Sequence, residues 1–292
     1  MTLRNQDTQT LELKKKTVQR FAFILNLLGA GAASTVDLTL IDVKFVLKRG
    51  GRERVLAHEN LQILAQESMY HQGYQHAFQK STIVLSAGAQ ELLPLTVDLG
   101  SPLNLMGDDL LAVQVTTKTG WYGTFSSSNS SLEVEDREAI GVEKVIPYIR
   151  SRALQATISR DQFSIGDNVI SVTLLNTESN RTNTDADKVF DSIILNSDKI
   201  NWNDNRGRII GRRTTQFEDA DTAALRGENF RYIPNAQLDN VQITLGLNGA
   251  NVAATKNFVV YRQFEIDQEV VLRAQALTQK HGRRNLDKIN GN

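Results

Sequence analysis

The chain contains no cysteine, only four prolines and only four histidines. Each scarcity removes a class of function. Without thiols there is no disulfide scaffold and no thiolate zinc or iron–sulfur site, which fits synthesis in a reducing cytosol. The histidines, His58, His71, His76 and His281, do not converge. His71 and His76 fall on different faces of any helix, and no carboxylate-rich helix accompanies them, so neither a zinc centre nor a histidine-based triad is expected. No G-x-S-x-G elbow and no G-x-x-x-x-G-K-[ST] loop is present. With 33 basic and 33 acidic residues there is no net charge to draw the whole chain to nucleic acid. No apolar run comes near the roughly 20 residues that cross a bilayer as a helix.

Three segments imitate functional motifs. Gly29-Ala30-Gly31-Ala32-Ala33-Ser34 nearly spells a dinucleotide fingerprint, with Asp42 downstream as a ribose ligand. That mechanism needs a helix directly after the glycines, whereas Thr35–Leu47 is β-branched and alternating, so a loop between strands is expected. Lys14–Lys16 and Arg20 before Phe21–Leu28 imitate a secretory leader, but the basic cluster sits late and holds Glu12, so no cleaved leader is expected. Asp198–Gly207 is rich in oxygen ligands yet lacks the bidentate glutamate of a calcium loop, and reads instead as an Asn/Asp turn. No cofactor and no metal site is expected.

What the sequence does contain is a β-rich plan that repeats at an offset of about 147 residues. Thr35–Leu47 alternates apolar and polar side chains into a basic turn, Lys48–Arg54. Val169–Leu175 and Val189–Leu195 do the same and meet a polar turn, Asn201–Gly207. Leu92–Leu99 then answers Val241–Leu247, and Leu110–Thr116 answers Phe258–Phe264. A repeat this long is a duplicated domain, since solenoid units recur every 20 to 50 residues or so. Helices are expected over His58–Gln72, with Leu61, Leu64, Ala65 and Met69 at helical spacing, and over Glu265–Gly282. Gly120–Ser131, with its serines and glycines, reads as a linker. The expected organisation is an arm over residues 1–20, a first β unit over 21–120, a linker over 121–139, a second unit over 140–266, and a helix with basic tail over 267–292.

Charge is uneven along this plan. Residues 1–20 and residues 268–292 each carry five Lys/Arg against two Asp/Glu, so two basic ends flank an acidic middle. Such ends either contact an anionic surface, phospholipid or genome, or are simply solvated.

Residues 41–64, IDVKFVLKRGGRERVLAHENLQIL, form a strand, basic turn, strand and helix, and Ile193–Gly211, IILNSDKINWNDNRGRIIG, looks like a second copy of that hairpin. This pattern resembles the double jelly-roll major capsid proteins of tailless icosahedral viruses with an internal membrane, including the corticovirus-like bacteriophages. The second copy departs from it, because Thr214–Gly227 is polar and lacks an apolar stripe for the following helix.

The resemblance implies an all-β fold of two tandem eight-stranded jelly rolls with short helices and basic terminal arms. It implies a structural virion protein, not an enzyme, made in the host cytoplasm and located in the capsid. The implied partners are itself, as a pseudo-hexameric homotrimer and lattice, then penton or minor capsid proteins. An internal lipid membrane would be touched peripherally, and no specific nucleic-acid sequence is expected. Both termini would face that membrane, presenting Lys14, Lys15, Lys16 and Arg20 at one end and Arg273, Lys280, Arg283, Arg284 and Lys288 at the other. The alternative is a carbohydrate- or receptor-binding β-sandwich, a spike, adhesin or tail component. Its stacking platforms would be Trp121, Tyr122, Trp202 and Tyr232.

Overall fold

A computed structural model describes residues 1–28, 33–34, 36–71, 83–84, 90–123, 125–141, 143–155, 157–176, 189–208, 230–232, 237–252, 257–266 and 271. Alternation of apolar and polar residues drives the fold. In β5 (Ile41–Arg49), Ile41, Val43, Phe45 and Leu47 are fully buried while the residues between them face outward. The hairpin into β6 (Arg52–Asn60) turns through Gly50 and Gly51, at φ 57° and 70°, a left-handed pair that side chains disfavour.

The first roll takes eight strands. β1 (Thr2–Leu3), β10 (Ser131–Glu138), β3 (Thr17–Leu28) and β8 (Gln90–Asn104) form one sheet in that spatial order. β2 (Thr8–Leu13), β9 (Leu110–Thr117), β5 and β6 form the other. The short pair β4 (Ala33–Ser34) and β7 (Ile83–Val84) is antiparallel and separate. The second roll repeats the order strand for strand. β11 (Ile146–Ala153), β18 (Asn257–Glu265), β13 (Val169–Asn176) and β16 (Phe230–Tyr232) make one sheet. β12 (Arg160–Gly166), β17 (Val241–Leu247), β14 (Phe190–Asn196) and β15 (Asn201–Asn205) make the other. In chain order each roll therefore places its first, eighth, third and sixth strands in one sheet and its second, seventh, fourth and fifth in the other, the double jelly roll.

The expected boundaries need correction at both flanks of the first roll. Residues 1–20 are not an arm. They supply β1, β2 and the start of β3, with Leu3, Leu13 and Val18 in the core. The second half of the expected linker is β10, the eighth strand, with Leu132 and Val134 buried. For the same reason the expected pairing of the halves slips by one strand. Leu92–Leu99 belongs to a sixth strand but Val241–Leu247 to a seventh, and Leu110–Thr116 to a seventh but Phe258–Phe264 to an eighth. The hairpin equivalence of β5–β6 with β14–β15 holds.

The helix α1 spans Leu61–His71, and Asn60 caps it by accepting the Ile63 amide at 3.0 Å. Sequence spacing gives it one apolar face. In the structure Gln66, Glu67 and Ser68 are buried as well, because α1 lies between the rolls. The expected C-terminal helix and basic tail lie outside the described residues, Val271 apart.

Candidate functional site: the seam between the rolls and the turn-bearing end

The two rolls are joined through buried charge. Arg262, on the outward face of β18, is fully buried and forks onto Glu67 of α1. Its Nε donates to Glu67 Oε1 at 2.7 Å and its Nη2 to Glu67 Oε2, while Nη2 also donates to the Asp98 carbonyl at 2.8 Å. This is the planar two-point recognition that a guanidinium makes and an ammonium does not. Around it, Leu175, Phe258 and Val260 of the second roll join the apolar cluster of the first.

Asp98, on β8, is the hub of this region. Its carboxylate accepts from Arg20 Nε at 2.8 Å, Gln19 Nε2 at 3.1 Å and the Gly100 amide at 2.7 Å, and its own amide donates to Ser68 Oγ at 2.9 Å. Burial pushes the Asp98 carboxyl upward, but the Gly100 amide, Arg20, Gln19 and the Arg262 charge outweigh it and hold the group below the usual aspartate range.

A second buried arginine pins the connection between rolls. Arg49, at the end of β5, donates to Glu143 Oε1 at 2.5 Å, Glu143 Oε2 at 3.0 Å, Asp109 Oδ2 at 3.1 Å and the Asn104 carbonyl at 3.1 Å. Burial alone would lower the Arg49 pKa; the hydrogen bonds and charges of Glu143 and Asp109 turn the net direction upward. Glu143 lies in the inter-roll connection and also accepts the Asn104 amide at 2.6 Å. Along the rest of the seam, β6 meets β11. Ser151 donates to Glu59 and Arg54 approaches Glu265 at 3.8 Å across the seam, while Tyr148 donates to Glu265 within the second roll. Burial raises the Glu59 carboxyl above its ordinary value, against the Ser151 bond. Burial and the bond to Glu265 raise the Tyr148 phenol.

These contacts set the rolls parallel. Along β6 from Arg54 to Glu59 the chain leaves the turns of the first roll; along β18 from Glu265 back to Val260 it leaves the matching turns of the second. One end of the molecule therefore gathers Lys14–Lys16, Gly50-Gly51, the turn before Leu110, and the connection at 139–145. The corresponding turns of the second roll lie beside them.

Of the basic residues expected to face a membrane, Lys14 and Lys15 stand exposed on the β2–β3 turn, Lys14 only 3.9 Å from Glu12. Lys16 instead pairs with Asp136 at 2.6 Å, and Arg20 lies on the sheet face against Asp98. Both are engaged within the first roll, because both belong to its strand ladder and not to an arm. Arg273, Lys280, Arg283, Arg284 and Lys288 lie outside the described residues. Sequence reading missed Met106, Ile140 and Ile266, which are 42%, 101% and 61% exposed at this same end. Isolated apolar residues in polar turns give no periodic signal, so only their common location reveals them.

The alternative's aromatics are placed as follows. Trp121 is fully buried, and Trp202, 9% exposed, stacks on Tyr232 at 4.4 Å and 18° inside the second core. Tyr122 packs edge-on against Trp121 at 5.9 Å and is half-buried against the first core. Rings used this way are anchors rather than sugar platforms. Asn201–Asn205, expected as a turn, is strand β15, and the turn is Ser197–Ile200 before it. Asp42 pairs with His58 at 3.0 Å across β5 and β6. No group of three or more metal-ligating side chains converges among the described residues, and no described helix is long and apolar enough to cross a membrane.

No protein-family model and no curated protein sequence matches the chain. Solved structures do match. The STIV MCP aligns with a TM-score of 0.59 at 11% identity, over 91% of this chain and 94% of that one. The major capsid protein P2 from Bacteriophage PM2 aligns at 0.55 and 8% identity, over 90% and 93%. A chain of Sulfolobus Turreted Icosahedral Virus aligns at 0.52 and 12% identity, over 97% and 98%. The shared property is the fold. This chain is a double jelly roll over nearly its whole length.

Proposed function

We propose that this chain is a major capsid subunit whose activity is assembly: a structural virion protein, not an enzyme. The observation that carries the reading is the seam. Two jelly rolls of one plan are locked parallel by fully buried ion pairs and an interposed helix, which makes a rigid two-barrel building block. Solved chains of the same fold include a major capsid protein that aligns over 90% of this chain's length. Copies would tile as trimers, six barrels in a pseudo-hexagonal block, and heterologous edge contacts would extend the block into an icosahedral shell with penton or minor proteins at its special positions. Synthesis would take place in the host cytoplasm.

The turn-bearing end would face an internal membrane. Lys14 and Lys15 supply charge there, Met106, Ile140 and Ile266 supply apolar tips, and β18 ends there. Each basic residue near an anionic leaflet contributes about 1 kcal/mol, so one copy binds weakly and a lattice binds firmly. No sequence-specific nucleic-acid contact is part of this reading. Electron microscopy of the purified chain tests it. Trimers, sheets or shells are expected; dispersed monomers at high concentration contradict it.

A further inference from the structure

The two rolls close the mouth between their first and second strands differently. In each roll these strands are the edges of facing sheets, and one backbone bond aligns the two cases. Asp7 accepts the Thr117 amide in the first roll as Ser159 accepts the Leu247 amide in the second, both at 2.9 Å. Gln9 therefore matches Asp161, and Leu11 matches Phe163. In the first roll an amide closes the mouth, since Gln9 donates to the Thr2 carbonyl at 2.7 Å and to Asp7 Oδ2 at 2.6 Å. In the second roll the same place is charged. Arg152, on β11, reaches over the Phe163 ring at 4.1 Å and donates to Asp161 Oδ1 at 3.2 Å. Arg150, two residues back, forms no ion pair among the described residues and lies over the Tyr148 ring at 5.0 Å. Tyr261 is the cross-strand partner of Arg150, and burial raises its phenol against the pull of both guanidiniums. The pair runs from surface to interior: the Arg152 side chain is 39% exposed and that of Asp161 only 7%. Arg152 Nε and Asp161 Oδ2 are buried with no hydrogen-bond partner among the described residues. Buried polar atoms left so are costly, and an unpaired carboxylate oxygen most of all.

We propose that the mouth between β11 and β12 binds a polyol bearing an acid group, a sugar acid or a phosphorylated polyol, with Arg150 and Arg152 on the acid and Asp161 on a hydroxyl. Each part of such a ligand answers one part of the site. Two guanidiniums against one carboxylate leave net positive charge, which takes an oxyanion through planar N–H donors. The unpaired Asp161 Oδ2 repels an oxyanion and accepts from a hydroxyl, so a bare anion such as inorganic phosphate fits less well than an acid with hydroxyls attached. The first roll offers no such chemistry at the matching place, because Gln9 is already spent on its own edge strand. β11 starts from the turn-bearing end, so Arg152 and Asp161 lie toward the opposite end of the second roll. On the assembly reading that end faces away from the internal membrane, and the ligand class is that of acidic glycans and polyol phosphates on a cell surface. The binding itself does not depend on that reading.

Isothermal titration of the full chain with glucuronate, glycerol phosphate, glucose and inorganic phosphate tests this. Glucuronate or glycerol phosphate should bind about tenfold or more tightly than glucose and inorganic phosphate, and the tighter of the two names the source. Arg150→Gln should weaken that binding by about tenfold or more and leave the thermal midpoint in place, since Arg150 has no ion pair to lose. Arg152→Lys keeps the charge but removes the Nε donor, and should weaken binding as well. Arg208→Gln, at an exposed arginine just after β15, should change nothing. Inorganic phosphate bound as tightly as either polyol acid, an affinity that Arg150→Gln leaves unchanged, or no binding of either polyol acid overturns the site. Each of these leaves the assembly reading standing, and a chain that stays monomeric yet binds glucuronate through Arg150 overturns assembly alone.

Discussion

The two jelly rolls agree on the inside and differ on the outside. Most inward positions match in type across the repeat, Leu3 with Leu154, Val18 with Val169 and Val134 with Val259, all buried; the neighbouring pair Leu25 and Leu132 departs, answered by buried Asn176 and Asn257. Outward positions at matching places do not. The eighth strand of the second roll turns Phe258, Val260 and Arg262 onto the first roll, whereas that of the first turns half-buried Glu133 and exposed Glu135 and Arg137 outward. The jelly-roll order is thus set by the inner rows. The outer rows decide which face is covered within the chain and which is left to solvent.

The largest test of that contrast is the buried clamp. Arg262→Ala strands Glu67 in the seam and should cost about 3–5 kcal/mol in denaturant unfolding. Arg262→Met with Glu67→Leu should recover most of the loss, since the pair provides specificity more than net stability. Next come matched substitutions on the two eighth strands. Val260→Glu buries an unpaired carboxylate and should cost about 3 kcal/mol or more, while Glu135→Val should move folding stability by no more than about 0.5 kcal/mol. Equal effects at the two positions would erase the contrast.

A smaller effect depends on pH. Asp98 is held below its ordinary value, so its contribution is present above about 3.9 and lost as pH falls through the depressed value. Asp98→Asn should therefore flatten the acid limb of stability against pH. Glu59 acts with the opposite sign. Its raised value lets the folded state keep a proton that the unfolded chain has released, so stability is lost as pH rises from about 4.3 through the raised value. Glu59→Gln should remove that loss, read as a smaller fall in thermal midpoint across the interval. The smallest effect is at the turn-bearing end. In liposome flotation of assembled protein, Lys14→Ala with Lys15→Ala should weaken binding to anionic vesicles by about 1 kcal/mol per residue. Lys16→Ala should change it less, because Lys16 is already paired with Asp136.

The hairpin at β5–β6, the helix after it, and the alternating strands at Leu110, Val169, Val241 and Phe258 were legible in the sequence, because one face of each strand is apolar at period two. The first roll's flanks were not. Thr8–Leu13 is an edge strand in which only Leu13 is buried, and β10 reads as an acidic stretch because Leu132 and Val134 are its only apolar residues. The seam left no local trace at all. Arg262 and Glu67 are 195 residues apart and each looks like an ordinary surface charge. Arg49 sits in a run, KRGGRER, that reads as a solvated basic turn, yet its side chain is fully buried. Burial of a charge is a property of the partner that covers it, and here the partner is the other half of the chain.

The central claim is that this molecule exists to associate with itself. Native mass spectrometry of the purified chain tests that most directly: the account predicts a dominant species at three times the mass of one chain. A single-chain mass that persists at the highest soluble concentration would contradict it.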